Sequence, residues 1–280
     1  MNEQTLSEAI EALLVARNPR NMAIARDALA PGYYLRAAQA LRAASGPVLI
    51  GTGFPVDDTF ETDGPVGAIA LYNGLAALGA QPVMACAAPL ADALAPDYNI
   101  LKLDCNNPEQ AALKAGEWLA AHQPRAVISI ERPGITADGR YYNMRGEDIS
   151  RLCGIFDPFL SLARCPTIAI GDGGNEIGMG KIGPAIAGLD IRAAVTSCDE
   201  LLVADVSNWG AYGLLAFLGL WAGRDLLGEF SPLNTLHYLS AKGSVDGVTR
   251  ENTITEDGLA VTEGDAVIYQ LRQLTGFQNP

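Results

Sequence analysis

Histidine is scarce: His122 and His237 are the only two in 280 residues, which argues against a histidine-rich zinc site. Cysteine pairs are missing as well. Cys86, Cys105, Cys153, Cys165 and Cys198 are odd in number, widely spaced and free of any Cys-x-x-Cys pair, so they read as small apolar thiols in a reducing compartment. Positive charge is short: a net charge of -13 offers no cationic face to nucleic acid or to an anionic membrane, although one pocket can still be locally positive. The first residues lack the basic start and apolar core of a signal peptide, and the most apolar later stretch, Trp209 to Ala222, is too short to span a bilayer comfortably. A soluble cytoplasmic protein with no nucleic-acid or membrane partner is therefore expected. Solenoid-type repeats and low-complexity linkers are also absent.

What is present is ordinary globular composition, about half hydrophobic, at a length that suits one α/β domain over residues 1–280 with a helical segment, 1–45, packed on it. Leu6, Ile10, Leu13 and Leu14 recur at helical spacing, with Thr5 or Ser7 as cap, and two more helices are expected over Asn21 to Leu29 and Tyr33 to Ala44. Strands are then expected at Pro47–Ile50, Pro82–Ala85, Ile100–Leu103, Ala126–Ile130, Thr167–Ile170 and Leu201–Ala204. Between them run helices over Gly64 to Leu78, Asn107 to His122, Ile149 to Ala163 and Ile177 to Ala187. Strands apolar throughout and separated by helices imply a mainly parallel sheet sandwiched by helices, a three-layer αβα arrangement. In such sheets ligands bind beyond the carboxyl ends of the strands, and the unusual residues of this sequence fall there repeatedly.

The sharpest segment is Gly171-Asp172-Gly173-Gly174-Asn175-Glu176, continuing to Lys181. Three glycines around one acid let the backbone bend and approach a ligand. Asn175 would cap the next helix, whose free N–H groups can hold a carboxylate or phosphate. A turn plus a cap is the bland alternative, but two acids, an amide and a lysine in one short span favour chemistry. Next comes Glu131-Arg132-Pro133-Gly134 with the loop Asp138 to Gly146, where Asn143 and Arg145 join Arg132; arginines orient carboxylates through paired hydrogen bonds, and a solvated loop is the other reading. Glu61 and Asp63, just ahead of a helix, can favour its positive end, accept a proton, or hold a hard cation such as magnesium or manganese. Ser207 and Asn208 follow another strand and are natural helix caps as well as polar site residues.

Several templates fail. Gly51-Thr52-Gly53 lacks the third glycine of a dinucleotide fingerprint and no Gly-Lys-Ser/Thr phosphate loop is present, so no nucleotide cofactor is expected. Neither histidine lies near a glycine-framed serine, which removes a Ser–His–Asp triad. The turn-rich segments Gly243 to Val248 and Glu256 to Leu259 read as plain loops, a lid or a homo-oligomer contact.

Taken together, Glu131 to Gly134, Asp138 to Gly146, Gly171 to Lys181, Ser207 to Tyr212 and Ser244 to Gly247 resemble the D-glutamate cyclase C-terminal domain family, and Gly53 to Pro55 with Glu61 to Pro65 matches its N-terminal part. The likeness runs from about Gly51 onward, in family order; longer members carry a further N-terminal domain, which is not expected here. The resemblance implies conversion of D-glutamate to 5-oxo-D-proline and water. That reaction needs a base, an acid for the departing oxygen and neutralisation of two carboxylates. On this footing Asp172 or Glu176 is the base and Glu131 the acid. Arg132 and Arg145 are carboxylate clamps, with Asn143, Ser207 and Asn208 as further substrate contacts. Asn175 and the amides of Gly173 and Gly174 are oxyanion donors. A divalent cation held among Glu61, Asp63, Asp172 and Glu176 is an alternative Lewis acid. The competing readings are a metal-dependent hydrolase of a small phosphorylated metabolite and a non-catalytic protein that binds an acidic amino acid.

Overall fold

Six short strands, nearly all apolar, need cover on both faces, and the computed structural model, which describes residues 1–42 and 45–278, gives it to them. In chain order the strands are β1 (Pro47–Thr52), the hairpin β2 (Pro55–Val56) and β3 (Thr59–Phe60), β4 (Gln81–Cys86), β5 (Ile100–Lys102), β6 (Ala126–Ile130), β7 (Thr167–Gly171), β8 (Glu200–Val203) and the hairpin β9 (Thr255–Glu256) and β10 (Leu259–Ala260). The main sheet has the order β5-β4-β1-β6-β7-β8 and every pairing in it is parallel. All six carboxyl ends therefore share one rim. The architecture is a three-layer α/β sandwich with helices at the N-terminus.

The helices are α1 (Glu3–Leu14), α2 (Met22–Asp27), α3 (Tyr33–Leu41), α4 (Pro65–Ala77), α5 (Leu90–Leu94), α6 (Pro108–His122), α7 (Asp157–Ser161), α8 (Gly183–Ile186), α9 (Ser207–Ala222), α10 (Pro232–Ser240) and α11 (Val261–Leu274). One face of the sheet packs on α4 and α9, the other on α6 and α7. Both α4 and α9 are apolar on nearly every side, which requires burial all round. The amphipathic α1, α3 and α11 supply it by packing outside α9. At Gly213 a Cβ would meet Leu14, Tyr34 and Ile10, so that contact depends on glycine. Trp209, Tyr212, Leu214 and Phe217 of α9 are fully buried, each worth roughly 1.5–3 kcal/mol of transfer free energy. Among the described residues no helix is long and apolar enough to cross a membrane. All five cysteines are free.

Four local expectations change. Asn2, not Thr5 or Ser7, caps α1 by accepting from the Thr5 N–H; Ser7 instead donates to Glu11 inside the fold. The helix expected to Ala44 ends at Leu41, and Ala43 and Ala44 lie outside the described residues. The helix expected over Ile149 to Ala163 shrinks to α7, because Ile149 and Ile155 give their N–H groups to the distant carbonyls of Tyr141 and Cys105. Ile177 to Ala187 becomes a 3-10 turn, Met179–Ile182, followed by α8, since Gly178 and Gly180 both donate to Thr196. Consequently Asn175 caps no helix. The sequence reading also missed α5, α10, α11 and both hairpins.

Candidate active site

Four loops leave the sheet rim side by side, and each brings an acid. After β1 and its hairpin the chain reaches Glu61 and Asp63; β6 ends in Glu131, β7 in Asp172, and β8 leads to Asp205 and the start of α9. One carboxylate oxygen from each of Asp63, Glu131 and Asp172 lies within 4.8 Å of the others, all three residues buried. Glu131 sits at a φ of 42°, unusual for a non-glycine residue, and the absent Cβ of Gly64 is what lets its side chain pass.

Asp63 faces the start of α9, which has no side-chain cap of its own. Its Oδ2 accepts from the Ser207 N–H at 2.9 Å and its Oδ1 from the Asn208 N–H at 2.8 Å, so a carboxylate from another loop satisfies the helix terminus. Ser207 and Asn208 are therefore not caps. Ser207 Oγ donates to Glu131 Oε2 at 2.6 Å; Asn208 accepts from the Gly64 and Gly67 N–H groups and donates to Glu256 Oε2 at 2.6 Å.

Arg20, from the turn between α1 and α2, enters the same cluster. Its Nη1 lies 2.8 Å from Asp172 Oδ2 and also bonds Asp257, which follows β9. Burial works against its charge, but Asp172 first, then Asp257 and Glu131, outweigh that and hold it above its ordinary value. The acids move the other way. Burial, and then neighbouring carboxylates, push Glu61 and Glu131 well above the usual range; burial does the same to Asp172 although Arg20 opposes it. Asp63 rises to about 7 through burial and Asp257, against the hydrogen bonds of Asp172, Asn208 and Ser207, and Glu256 rises to about 8 through burial and Asp63.

A cavity of about 440 Å³ opens onto this cluster, a normal size for a small-molecule site. Of the residues expected from sequence it is lined by Glu61, Glu131, Asp172, Asn175, Asn143 and Arg145, together with Arg20, Arg250 and Asp257. Asn175 donates to the Tyr142 carbonyl at 2.9 Å while its buried Oδ1 has no partner. Arg145 is exposed and bonds the Val248 carbonyl at 2.9 Å. Asn143 shapes its own turn, accepting from the N–H groups of Arg145 and Glu147.

The remaining residues expected to act lie behind the cavity wall. Arg132 is buried with its guanidinium on the carbonyls of Thr52, Gly53 and Gly154, a brace between β1 and the loop before α7, not an open clamp. Glu176 accepts from the N–H groups of Asp172, Gly173 and Gly174 at 3.0, 2.6 and 2.6 Å. Those glycine amides are therefore spent inside the loop and are not oxyanion donors. Neither Glu176 nor Gly173, Gly174, Ser207 or Asn208 lines the cavity. As cation ligands, Asp63, Glu131 and Asp172 fit a hard divalent ion by donor chemistry, whereas Glu176 is already engaged.

Sequence reading missed Arg20 and Arg250 and set Glu256 and Asp257 aside as turn residues. The Glu256-Asp257-Gly258 turn was a visible signal; Arg20 had none beyond its charge.

A family model described as D-glutamate cyclase-like, C-terminal, matches residues 10–272. The D-glutamate cyclase, mitochondrial, of Homo sapiens is 35% identical over 205 residues, covering 61% of this chain and 32% of that protein. The chain thus matches about a third of that relative's length. The solved structure of an exopolyphosphatase-related protein from Bacteroides fragilis superposes with a TM-score of 0.41 and 10% identity, over 90% of this chain and 62% of its own, too loosely for any functional argument.

Proposed function

Since the chain belongs to the D-glutamate cyclase-like, C-terminal family, we propose that it is an enzyme that closes D-glutamate to 5-oxo-D-proline with release of water, as the name of its human relative suggests. The observation that carries this reading is the acid cluster Asp63–Glu131–Asp172 beside a cavity that also holds arginines.

The atom balance suits such a cluster. The α-nitrogen bonds to the carbon of the γ-carboxyl group, and one oxygen of that carboxyl leaves as water. Both hydrogens of that water come from the substrate ammonium, so the protein has only to relay two protons from nitrogen to oxygen. Asp172, on the cavity wall, accepts from the ammonium in the ionised form that Arg20 favours. Glu131, held protonated by burial and its acidic neighbours, donates to the leaving oxygen. Asp63, held by the α9 N-terminus, passes the proton between them. Asn175 Oδ1 is an open acceptor for an N–H of the substrate. Arg145 at the mouth attracts the α-carboxylate. A magnesium or manganese ion would be held by Asp63, Glu131 and Asp172 as ionised carboxylates, and it would supply Lewis-acid polarisation of the γ-carboxyl oxygen in place of the proton from Glu131.

The test is purified protein with D-glutamate, with and without a chelator, followed by chiral chromatography for 5-oxo-D-proline. Wild type forms the product. Asp172→Asn replaces the proton acceptor by a neutral isostere, should still fold as a thermal melt would show, and loses turnover. Full activity in that variant refutes the assignment, and chelator-sensitive release of phosphate from phosphoesters without cyclisation supports a hydrolase instead.

A further inference from the structure

Arg20 reaches the cluster from a part of the chain that carries none of the motifs above, and its delivery is closely fixed. Asn18 and Asn21 take left-handed backbone, with φ of 54° and 63°, which folds the turn tightly. Asp205, just beyond β8, accepts from the N–H groups of Arg17 and Asn18 at 2.7 and 3.0 Å and donates its own N–H to the Leu14 carbonyl at 2.7 Å. The sheet rim itself therefore holds the turn that carries Arg20.

Only part of the guanidinium is used. Nη1 serves both Asp172 and Asp257, whereas Nε and Nη2 have no acceptor among the described residues, and the side chain lines the cavity. An arginine in a partly desolvated cavity with free donors on its planar fork is suited to a carboxylate, which it binds through two parallel hydrogen bonds. Because Nη1 already touches Asp172, any carboxylate taken by the other donors lies directly beside the proton-handling acids. The group that must lie there is the one losing oxygen. Arg145, exposed at the mouth, is left for the α-carboxylate.

We propose that Arg20 is a substrate-binding and specificity-determining residue that grips the γ-carboxylate of the acidic amino acid through Nε and Nη2, an assignment that rests on the cyclase reading above. It makes the N-terminal helical segment a working part of the site rather than a cover for α9. Arg20 selects a γ-carboxylate over a γ-amide, and it offsets the negative charge that builds on the γ-oxygen as nitrogen attacks.

The experiment compares wild type, Arg20→Ala, Arg20→Lys and the nearby control Arg17→Ala, whose side chain bonds Glu263 at the surface. Calorimetry measures binding of D-glutamate and of D-glutamine, its γ-amide, while chromatography follows turnover and thermal melts check folding. Wild type should prefer D-glutamate, and Arg20→Ala should lose at least about tenfold in D-glutamate affinity while D-glutamine binding holds, erasing the preference. Arg20→Lys keeps the charge but not the fork and should fall between; Arg17→Ala should match wild type. If Arg20→Ala fails to fold, a tenfold loss in folded Arg20→Lys supports the proposal and unchanged affinity overturns it. Folded Arg20→Ala that still prefers D-glutamate overturns it as well. Arg20-dependent binding of D-glutamate without 5-oxoproline sinks the cyclase reading and leaves the carboxylate site standing; wild type that binds neither ligand sinks both.

Discussion

Replacing Glu176 is expected to damage the fold more than the chemistry. Its carboxylate receives three backbone N–H groups, from Asp172, Gly173 and Gly174, at 3.0, 2.6 and 2.6 Å, all out of reach of bulk water. A hydrogen bond to a charged acceptor is worth about 1.5–3 kcal/mol, and a buried donor left without a partner costs about 1–3 kcal/mol. Three such donors set an upper range near 9 kcal/mol, and partial relaxation of a loop with three glycines reduces it, so Glu176→Ala should cost at least about 4 kcal/mol. That is a large share of the roughly 5–15 kcal/mol that keeps a typical domain folded. Glu176→Gln keeps the acceptor that serves Asp172 and Gly173 but sets an amide nitrogen against the Gly174 N–H, for a loss of about 2 kcal/mol. Urea titration measures both values, and hydrogen exchange at residues 172–174 reports the loop directly. The Gln variant, once folded, should retain measurable turnover, because Glu176 does not reach the cavity, whereas Asp172→Asn should have none. A loss below about 1 kcal/mol in the Ala variant, with exchange at 172–174 unchanged, would refute the structural role argued for Glu176.

Two further outcomes follow from the buried acids. Asp63 moves from 3.8 to about 7 and Glu256 from 4.5 to about 8, so between those limits the folded chain holds protons that the unfolded chain has released. Their contribution to stability is full below about pH 4 and is lost as pH rises through 7 and 8, on the order of 4 kcal/mol for each group. The urea midpoint should therefore fall between about pH 5.5 and pH 9, and manganese should raise it more at the higher pH, where its ligands are free of protons; a midpoint that climbs over this range contradicts the burial argument. At Gly247 a Cβ would overlap Glu61 Oε2, so Gly247→Ala should lower stability by about 1–3 kcal/mol and displace Glu61 from the cavity. A wild-type melting temperature with wild-type turnover would show that Glu61 has room to move.

The sheet was readable because its central strands are buried on both faces: Ala126 to Ile130 and Thr167 to Gly171 contain no exposed residue, and a short unbroken apolar run has few other uses in a chain of this kind. Helix ends were readable where the cap is local, as at Asn107, whose side chain accepts from the Gln110 N–H. They were not readable where the partner is distant. Gly178 and Gly180 give their N–H groups to Thr196, and no local propensity encodes that choice, so a predicted helix became a 3-10 turn. The start of α9 is the reverse case, with a cap supplied by Asp63 from a loop 144 residues earlier.

The site followed the same division. Strand ends located its acids, since a parallel sheet delivers Glu131 and Asp172 to one rim whatever the helices do. What the sequence could not disclose is which groups are consumed in holding the others. Arg132 looks as good a clamp as Arg145 until the carbonyls of Thr52, Gly53 and Gly154 are seen to converge on it. Glu176 looks as good a base as Asp172 until its loop closes around it.

This inner layer explains how the acid cluster persists. Like charges this close cannot all ionise in a buried site, and the fold answers in three ways. Burial keeps Glu131 and Glu61 protonated, the N-terminus of α9 steadies Asp63, and Arg20 offsets Asp172. Each device acts on a different acid and so separates their proton affinities, which is the condition for moving a proton among neighbours without moving atoms far. Were Arg20 and the start of α9 both removed, the acids would simply protonate. The chain could still fold, but donor and acceptor would become alike and the relay would have no direction.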